Sequence, residues 1–176
     1  MRKIAFTTLT AMGAIALPAA AQAQSNEDPK VEAYVGASAG IHDLGIGLPD
    51  DDGGIYGVVA GVDVPVGKTF FVGAEGNFHI GDGPIDNEYG IAARAGVRVG
   101  ETGKIYVRGG YQEVDFDIRN LFGVTPPAGF DTTDGDYLVG AGVEFGLGES
   151  PVRFRAGIDT IAFDSTRATV GVLYAF

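Results

Sequence analysis

The chain has 176 residues, with 12 Lys and Arg against 23 Asp and Glu, a formal net charge of −11 and no cysteine. So acidic a chain, without a basic stripe, is no partner for nucleic acid, and without cysteine it holds its fold without disulfides. No apolar run of about 18 residues follows the amino-terminal segment, which excludes a helical membrane protein; the 29 glycines carry no triplet period, which excludes collagen.

The chain opens with Arg2 and Lys3, an apolar stretch from Ile4 to about Leu17, and the small-residue tripeptide Ala21-Gln22-Ala23. A positive start, a short apolar stretch and an A-x-A site predict a secretory signal peptide over 1–23. Gly13 and Pro18 interrupt the stretch, which is too short to span about 30 Å of hydrocarbon. The expected mature chain has 153 residues and, without Arg2 and Lys3, a net charge of −13. It consists of a short periplasmic segment over 24–30 and one domain over 31–176.

From residue 31 on, apolar and polar residues alternate with period two in eight segments separated by turn signals. The first, about 31–40, sets Val31, Ala33, Val35, Ala37 and Ala39 on one face. The second, about 55–64, aligns Tyr56, Val58, Ala60 and Val62 opposite Gly57, Gly61 and Asp63. The third, about 70–80, sets Phe70, Val72, Ala74 and Phe78 against Glu75, Asn77 and His79. In the fourth, about 88–99, a Tyr89, Ile91, Ala93, Ala95, Val97 face opposes Glu88, Arg94 and Arg98. The fifth, about 104–116, opposes Ile105, Val107 and Tyr111 to Tyr106, Arg108 and Gln112. The sixth, about 136–147, opposes Tyr137, Val139, Val143 and Phe145 to Gly140, Gly142 and Glu144. The seventh, about 152–161, opposes Val152, Phe154 and Ile158 to Arg153, Arg155 and Asp159. The last, 168–176, sets Ala168, Val170, Val172, Tyr174 and Phe176 on one face.

Short connections at 65–69, 100–103 and 148–151 alternate with a second set, 42–54, 81–87 and 117–135; Asp164-Ser165-Thr166 closes the last hairpin. Short turns on one rim and longer loops on the other match an outer-membrane barrel. The aromatics of the apolar face sort accordingly. Tyr56, Phe78, Tyr89, Tyr111 and Tyr137 lie toward the loop rim, and Phe70, Phe145, Phe154, Tyr174 and Phe176 toward the turn rim. Two aromatic girdles flanking a Val, Ala and Ile band are the mark of two membrane interfaces. A soluble barrel with its polar face outward would carry many lysines and few glycines there; this chain shows the reverse. The expected fold is all-β: an eight-stranded antiparallel up-and-down transmembrane β-barrel. The apolar terminal strand is then no exposed edge, since closure against the first strand gives it a second neighbour.

The inward face carries Arg94, Arg98, Arg108, Arg153 and Arg155 with Glu32, Asp63, Glu75, Glu88, Glu144 and Asp159. Near balance in a narrow lumen predicts paired charges, with inward glycines making room for the arginines. Eight strands leave an interior that side chains fill, so a plugged core is expected, with a constricted polar pathway as the alternative.

The loops are acidic. Asp50, Asp51 and Asp52 in the first and Asp131 and Asp134 in the third lack the distal glutamate of a calcium loop. They read as a solvated rim beside lipopolysaccharide, with no metal or cofactor. Phe122 and Phe130 of the third loop are candidate partner contacts, or fold back to cap the barrel. Catalysis finds little support. His42, in the first loop, and His79 are the only histidines; His79 with Ser165 and a rim carboxylate can be drawn as a catalytic set, but spacing does not single it out, and His79 is expected in the interior network. No enzyme is expected.

Tyr34-Val35-Gly36-Ala37-Ser38, Phe71-Val72-Gly73-Ala74-Glu75-Gly76, Leu138-Val139-Gly140-Ala141-Gly142-Val143-Glu144 and the terminal Val170 to Phe176 resemble the small outer-membrane β-barrel family. That family includes the opacity-type surface proteins and the membrane domain of outer membrane protein A. The resemblance implies the bacterial outer membrane, with its lipid and lipopolysaccharide as surroundings. It also implies insertion by the barrel assembly machinery, with Tyr174 and Phe176 as the assembly signal. The functional expectation is a monomer with a structural or surface-interaction role, contacting an unidentified surface ligand through its acidic loops. A narrow porin-like channel is the second reading and a lipid-A-modifying enzyme the third.

Overall fold

The computed structural model describes residues 30–45, 47, 51–119, 127 and 132–176. The signal peptide, most of the 24–30 segment, and Asp50, Phe122, Phe130 and Asp131 lie outside the described residues. Eight strands follow one another: β1 (Glu32–Asp43), β2 (Asp52–Val66), β3 (Phe70–Gly81), β4 (Ile85–Val99), β5 (Gly103–Phe116), β6 (Thr133–Gly146), β7 (Val152–Ile161) and β8 (Ser165–Ala175). Each pairs antiparallel with its neighbours in sequence, and β8 pairs with β1, so the sheet is a closed barrel. Every strand thereby has a partner on both sides, which hydrocarbon demands of backbone amides and carbonyls.

The register sets the tilt. The hydrogen-bonded path from Ala33 runs through Val62, Ala74, Ala93, Gly109, Val139, Thr160 and Thr166. It returns to β1 at Asp43, ten residues from where it began. For eight strands that stagger corresponds to a tilt of about 40°. At that tilt a strand of 12 residues, such as β1, rises roughly 30 Å, the thickness of a bilayer core.

Alternation assigns the faces as the sequence predicts. Val35, Val58, Val72, Ile91, Val107, Val139, Ile158 and Val170 point out and are exposed. The two girdles bound this band; at the turn rim Phe145 stacks on Phe154 at 5.5 Å and Tyr174 meets Phe176 edge-on at 5.2 Å.

The strands are longer at the loop rim than the side-chain pattern implies. β2 starts at Asp52, β4 at Ile85 and β6 at Thr133, because backbone pairing continues where alternation has stopped. Gly53 faces His42, and Gly54 faces Ile41. His42 therefore belongs to β1 and not to the first loop. The connections β3–β4 and β7–β8 shrink to residues 82–84 and 162–164, and the long connections are 44–51 and 117–132.

The β7–β8 turn is strained. Ala162 and Phe163 have φ of 56° and 64°, and Asp164 N–H donates to Ile161 O at 3.3 Å. Two successive left-handed residues fit the hairpin twist but suit Asn and Gly, not side chains of this size. Ala162→Asn with Phe163→Gly is therefore expected to stabilise the barrel by about 1 kcal/mol, read as a higher urea midpoint with an unchanged slope.

Candidate functional site: an ion-paired lumen and its acidic mouth

At the turn rim Lys104 on β5 bridges Glu32 and Asp63, with Nζ 2.5 Å and 2.7 Å from their carboxylates, and Arg153 holds the other oxygen of Glu32. One layer up, Arg94 reaches three acids: Glu144 at 2.5 Å, Glu75 at 3.2 Å and Asp63 at 3.2 Å. Its guanidinium lies 4.1 Å from the ring centroid of Tyr106 and 5.2 Å from that of Tyr34, so aromatic faces complete the cage that carboxylates begin. Tyr34 Oη donates to Glu75 at 2.7 Å and accepts from Arg94 at 2.9 Å.

Glycines shape this layer. A Cβ at Gly61 would overlap the Tyr34 hydroxyl, and one at Gly142 the Tyr106 hydroxyl. The two tyrosines lie across the lumen only because nothing projects beneath their rings.

Higher still, Arg155 pairs with Glu75 and with Glu144 at 2.7 Å. Arg108 grips Asp159 with two parallel bonds, 2.7 Å and 2.5 Å, and reaches Glu75 at 2.6 Å. Arg167 joins Asp159 to Glu88, at 3.1 Å and 2.5 Å. Glu88 in turn meets His42 Nδ1 at 2.8 Å and His79 Nδ1 at 3.2 Å. Ion pairs thus run without a break from Arg153 to the histidines, along six carboxylates and six cations.

All six carboxylates expected inside are there, with Arg94, Arg108, Arg153 and Arg155. Arg98 is not: it lies at the turn rim beside Lys104 in the register, and among the described residues its guanidinium reaches the Phe70 carbonyl at 3.5 Å. Lys104 and Arg167 take part instead. Lys104 lies on the polar phase of the fifth segment, so alternation alone is a sufficient signal for it; Arg167 precedes the last segment as read and joins a strand only because β8 begins at Ser165. His79 joins the network, with Nε2 2.7 Å from Ser38 Oγ. Gln112 is fully buried, yet neither atom of its amide has a partner.

Leu44, Ile55, Ile85 and Val114, with Phe116, form an apolar cluster at the loop end. Beside it a cleft of about 140 Å³ opens at the mouth. Among the described residues no three His, Cys, Asp or Glu side chains converge to hold a metal. A void of about 10 Å³ in the lumen between Ser38, His79 and Arg108 has room for one water at most. A refolded barrel is accordingly expected to give no steady discrete conductance in a planar bilayer; regular unitary steps would contradict the plug.

An apolar outer wall between two aromatic girdles, backbone closure without an edge, and a charged lumen define an integral β-barrel of the bacterial outer membrane. The model of the outer membrane protein beta-barrel domain matches residues 7–176, and the chain belongs to that family. Solved structures share its fold. The attachment invasion locus protein of Yersinia pestis, Ail, is 16% identical with a TM-score of 0.57, covering 85% of this chain and 100% of its own. The same protein in complex with the heparin analogue sucrose octasulfate scores 0.56 at 16% identity, covering 84% of this chain and 100% of its own. Neisserial surface protein A, NspA, is 14% identical with a TM-score of 0.54, covering 86% and 100%. No curated protein matches the chain.

Proposed function

We propose that this barrel is a surface-contact protein, held rigid by its ionic lumen, whose acidic loop rim faces outward and meets a cationic partner. The charge of that rim carries the reading. In the segments that build it, Arg119 is the only Lys or Arg, against Asp43, Asp51, Asp52, Asp82, Glu113, Asp115, Asp134, Asp136 and Asp164 among others. The other lumen-independent cations, Lys30, Lys68 and Arg98, belong to the opposite end. A rim of one sign attracts its opposite at long range and repels like charge. Ail is seen with a sulfated sugar analogue; this rim favours ligands of the other sign.

Several rim carboxylates are already engaged within the fold. Asp82 accepts from Gly54 N–H at 2.6 Å and Asp115 from Thr132 at 2.6 Å, so these two carboxylates are held in place by the fold. Phe163, 75% exposed at the β7–β8 tip, supplies an apolar contact beside it. The signal peptide is removed on export, Tyr174 and Phe176 act as the assembly signal, and the barrel works as a monomer, not as an enzyme in this role.

The test places the mature barrel in nanodiscs of uncharged phosphatidylcholine and measures binding of oligolysine and of heparin. Oligolysine is expected to bind, more weakly as salt rises, and heparin not to. Asp51, Asp52, Asp134, Asp136 and Asp164 changed together to Asn should weaken oligolysine about tenfold or more. Unchanged affinity in that variant would overturn the reading.

A further inference from the structure

Two serine–histidine pairs share one carboxylate at the loop end of the lumen. His79 Nε2 lies 2.7 Å from Ser38 Oγ and its Nδ1 3.2 Å from Glu88 Oε1. His42 Nε2 lies 3.3 Å from Ser165 Oγ and its Nδ1 2.8 Å from Glu88 Oε2. Each has the order of an activated nucleophile: hydroxyl, imidazole, carboxylate. Access separates them. Ser38 and His79 border a void of about 10 Å³, whereas Ser165 and His42 line the cleft of about 140 Å³ at the mouth. The three members of the open set come from β1, β4 and β8, and only closure of β8 onto β1 assembles them.

We propose that Ser165 and His42 are an acyl-transfer site, positioned by Glu88, for short esters whose alcohol part is neutral or cationic. The proposal goes beyond the surface-contact role and does not depend on it. Leu44, Val114 and Ile161 give the cleft apolar lining for the acyl group, and Asp134, Asp136 and Asp164 line it as well. Those carboxylates turn away carboxylate and phosphate substrates. Glu88, fixed from its other oxygen by Arg167 at 2.5 Å, accepts the Nδ1 proton and leaves Nε2 as the base. Ser165 Oγ also donates to Ile161 O at 3.1 Å; when it turns to Nε2 the same hydrogen serves the reaction.

In the step itself Oγ bonds to the ester carbonyl carbon and its proton passes to Nε2. The carbon–oxygen bond to the alcohol breaks, and the departing alkoxide takes that proton. Water then attacks the acyl-serine, gives a proton to Nε2, and the carboxylic acid leaves as Ser165 recovers its hydrogen. No oxidant, reductant or metal enters.

The experiment mixes the mature barrel in detergent with p-nitrophenyl acetate. A stoichiometric burst of p-nitrophenol is expected, with the acetyl group on the Ser165 peptide by mass spectrometry. Ser165→Ala, close in volume, should abolish the burst while the unboiled protein keeps its compact electrophoretic migration. His42→Gln should slow it on the order of 100-fold. Glu88→Gln should slow it too, with partial recovery in Glu88→Asp, which a purely structural carboxylate would not show in a barrel that migrates normally. Ser38→Ala should leave the burst unchanged. Acetyl found elsewhere, a burst surviving Ser165→Ala, or no burst from a correctly migrating barrel would each overturn the proposal.

Discussion

Arg94→Met is expected to lower the unfolding free energy of the barrel by about 3–5 kcal/mol, measured as the fraction migrating compactly across a urea series. The arginine is buried and is a cation shared by Asp63, Glu75 and Glu144. Methionine keeps most of the volume but leaves three carboxylates with one fewer partner, in an interior too tight for water to replace it. Part of the cage survives, since Lys104 still holds Asp63 and Arg155 still holds Glu75 and Glu144. Arg98→Met, four residues nearer the turn rim on the same strand and outside the network, should change stability by less than about 0.5 kcal/mol. Equal effects of the two substitutions would mean that the lumen charges are hydrated and the ion pairs contribute little.

The second large effect concerns the opposite face of the same wall. Val107→Arg should cost about 2–4 kcal/mol in a bilayer, because its side chain is outward and exposed midway between the girdles. Val66→Arg, also exposed but at the turn end of β2, should cost roughly 0–1 kcal/mol, since the guanidinium reaches headgroups there. Depth dependence of this kind, measured by urea unfolding in liposomes, is the signature of lipid contact. A flat profile would fit a wall that faces water.

Much of this architecture was legible in the chain because two independent patterns agree. Period two gave the eight strands and their faces, and the sorting of Tyr and Phe to opposite strand ends gave the two interfaces. Strand ends were harder. Gly53 and Gly54 extend β2 through backbone bonds alone, and a glycine pair has no side-chain phase to read. Alternation therefore leaves His42 in a loop, and its approach to Glu88 and Ser165 follows only from the backbone pairing of β1 and β2. The composition of the lumen could be read, but its pairing could not. Arg153 meets Glu32 across 121 residues and Arg167 meets Glu88 across 79, and only the stagger of the closed barrel decides which layers coincide. The long third loop left no periodic trace, so its apolar residues gave a list of contacts without a geometry.

The distribution of lumen charge along the chain bears on how the barrel is completed. The carboxylates Glu32, Asp63 and Glu75 belong to β1, β2 and β3, whereas every lumen cation, from Arg94 to Arg167, arrives with β4, β5, β7 or β8. A sheet of the first three strands would carry three acids and nothing to answer them, and could not enter hydrocarbon curled on itself at low cost. The later strands neutralise the earlier ones, and Arg153 reaches Glu32 only when the ring is shut. Unfinished intermediates are therefore penalised by their own uncompensated charge, and insertion and closure become a single cooperative event.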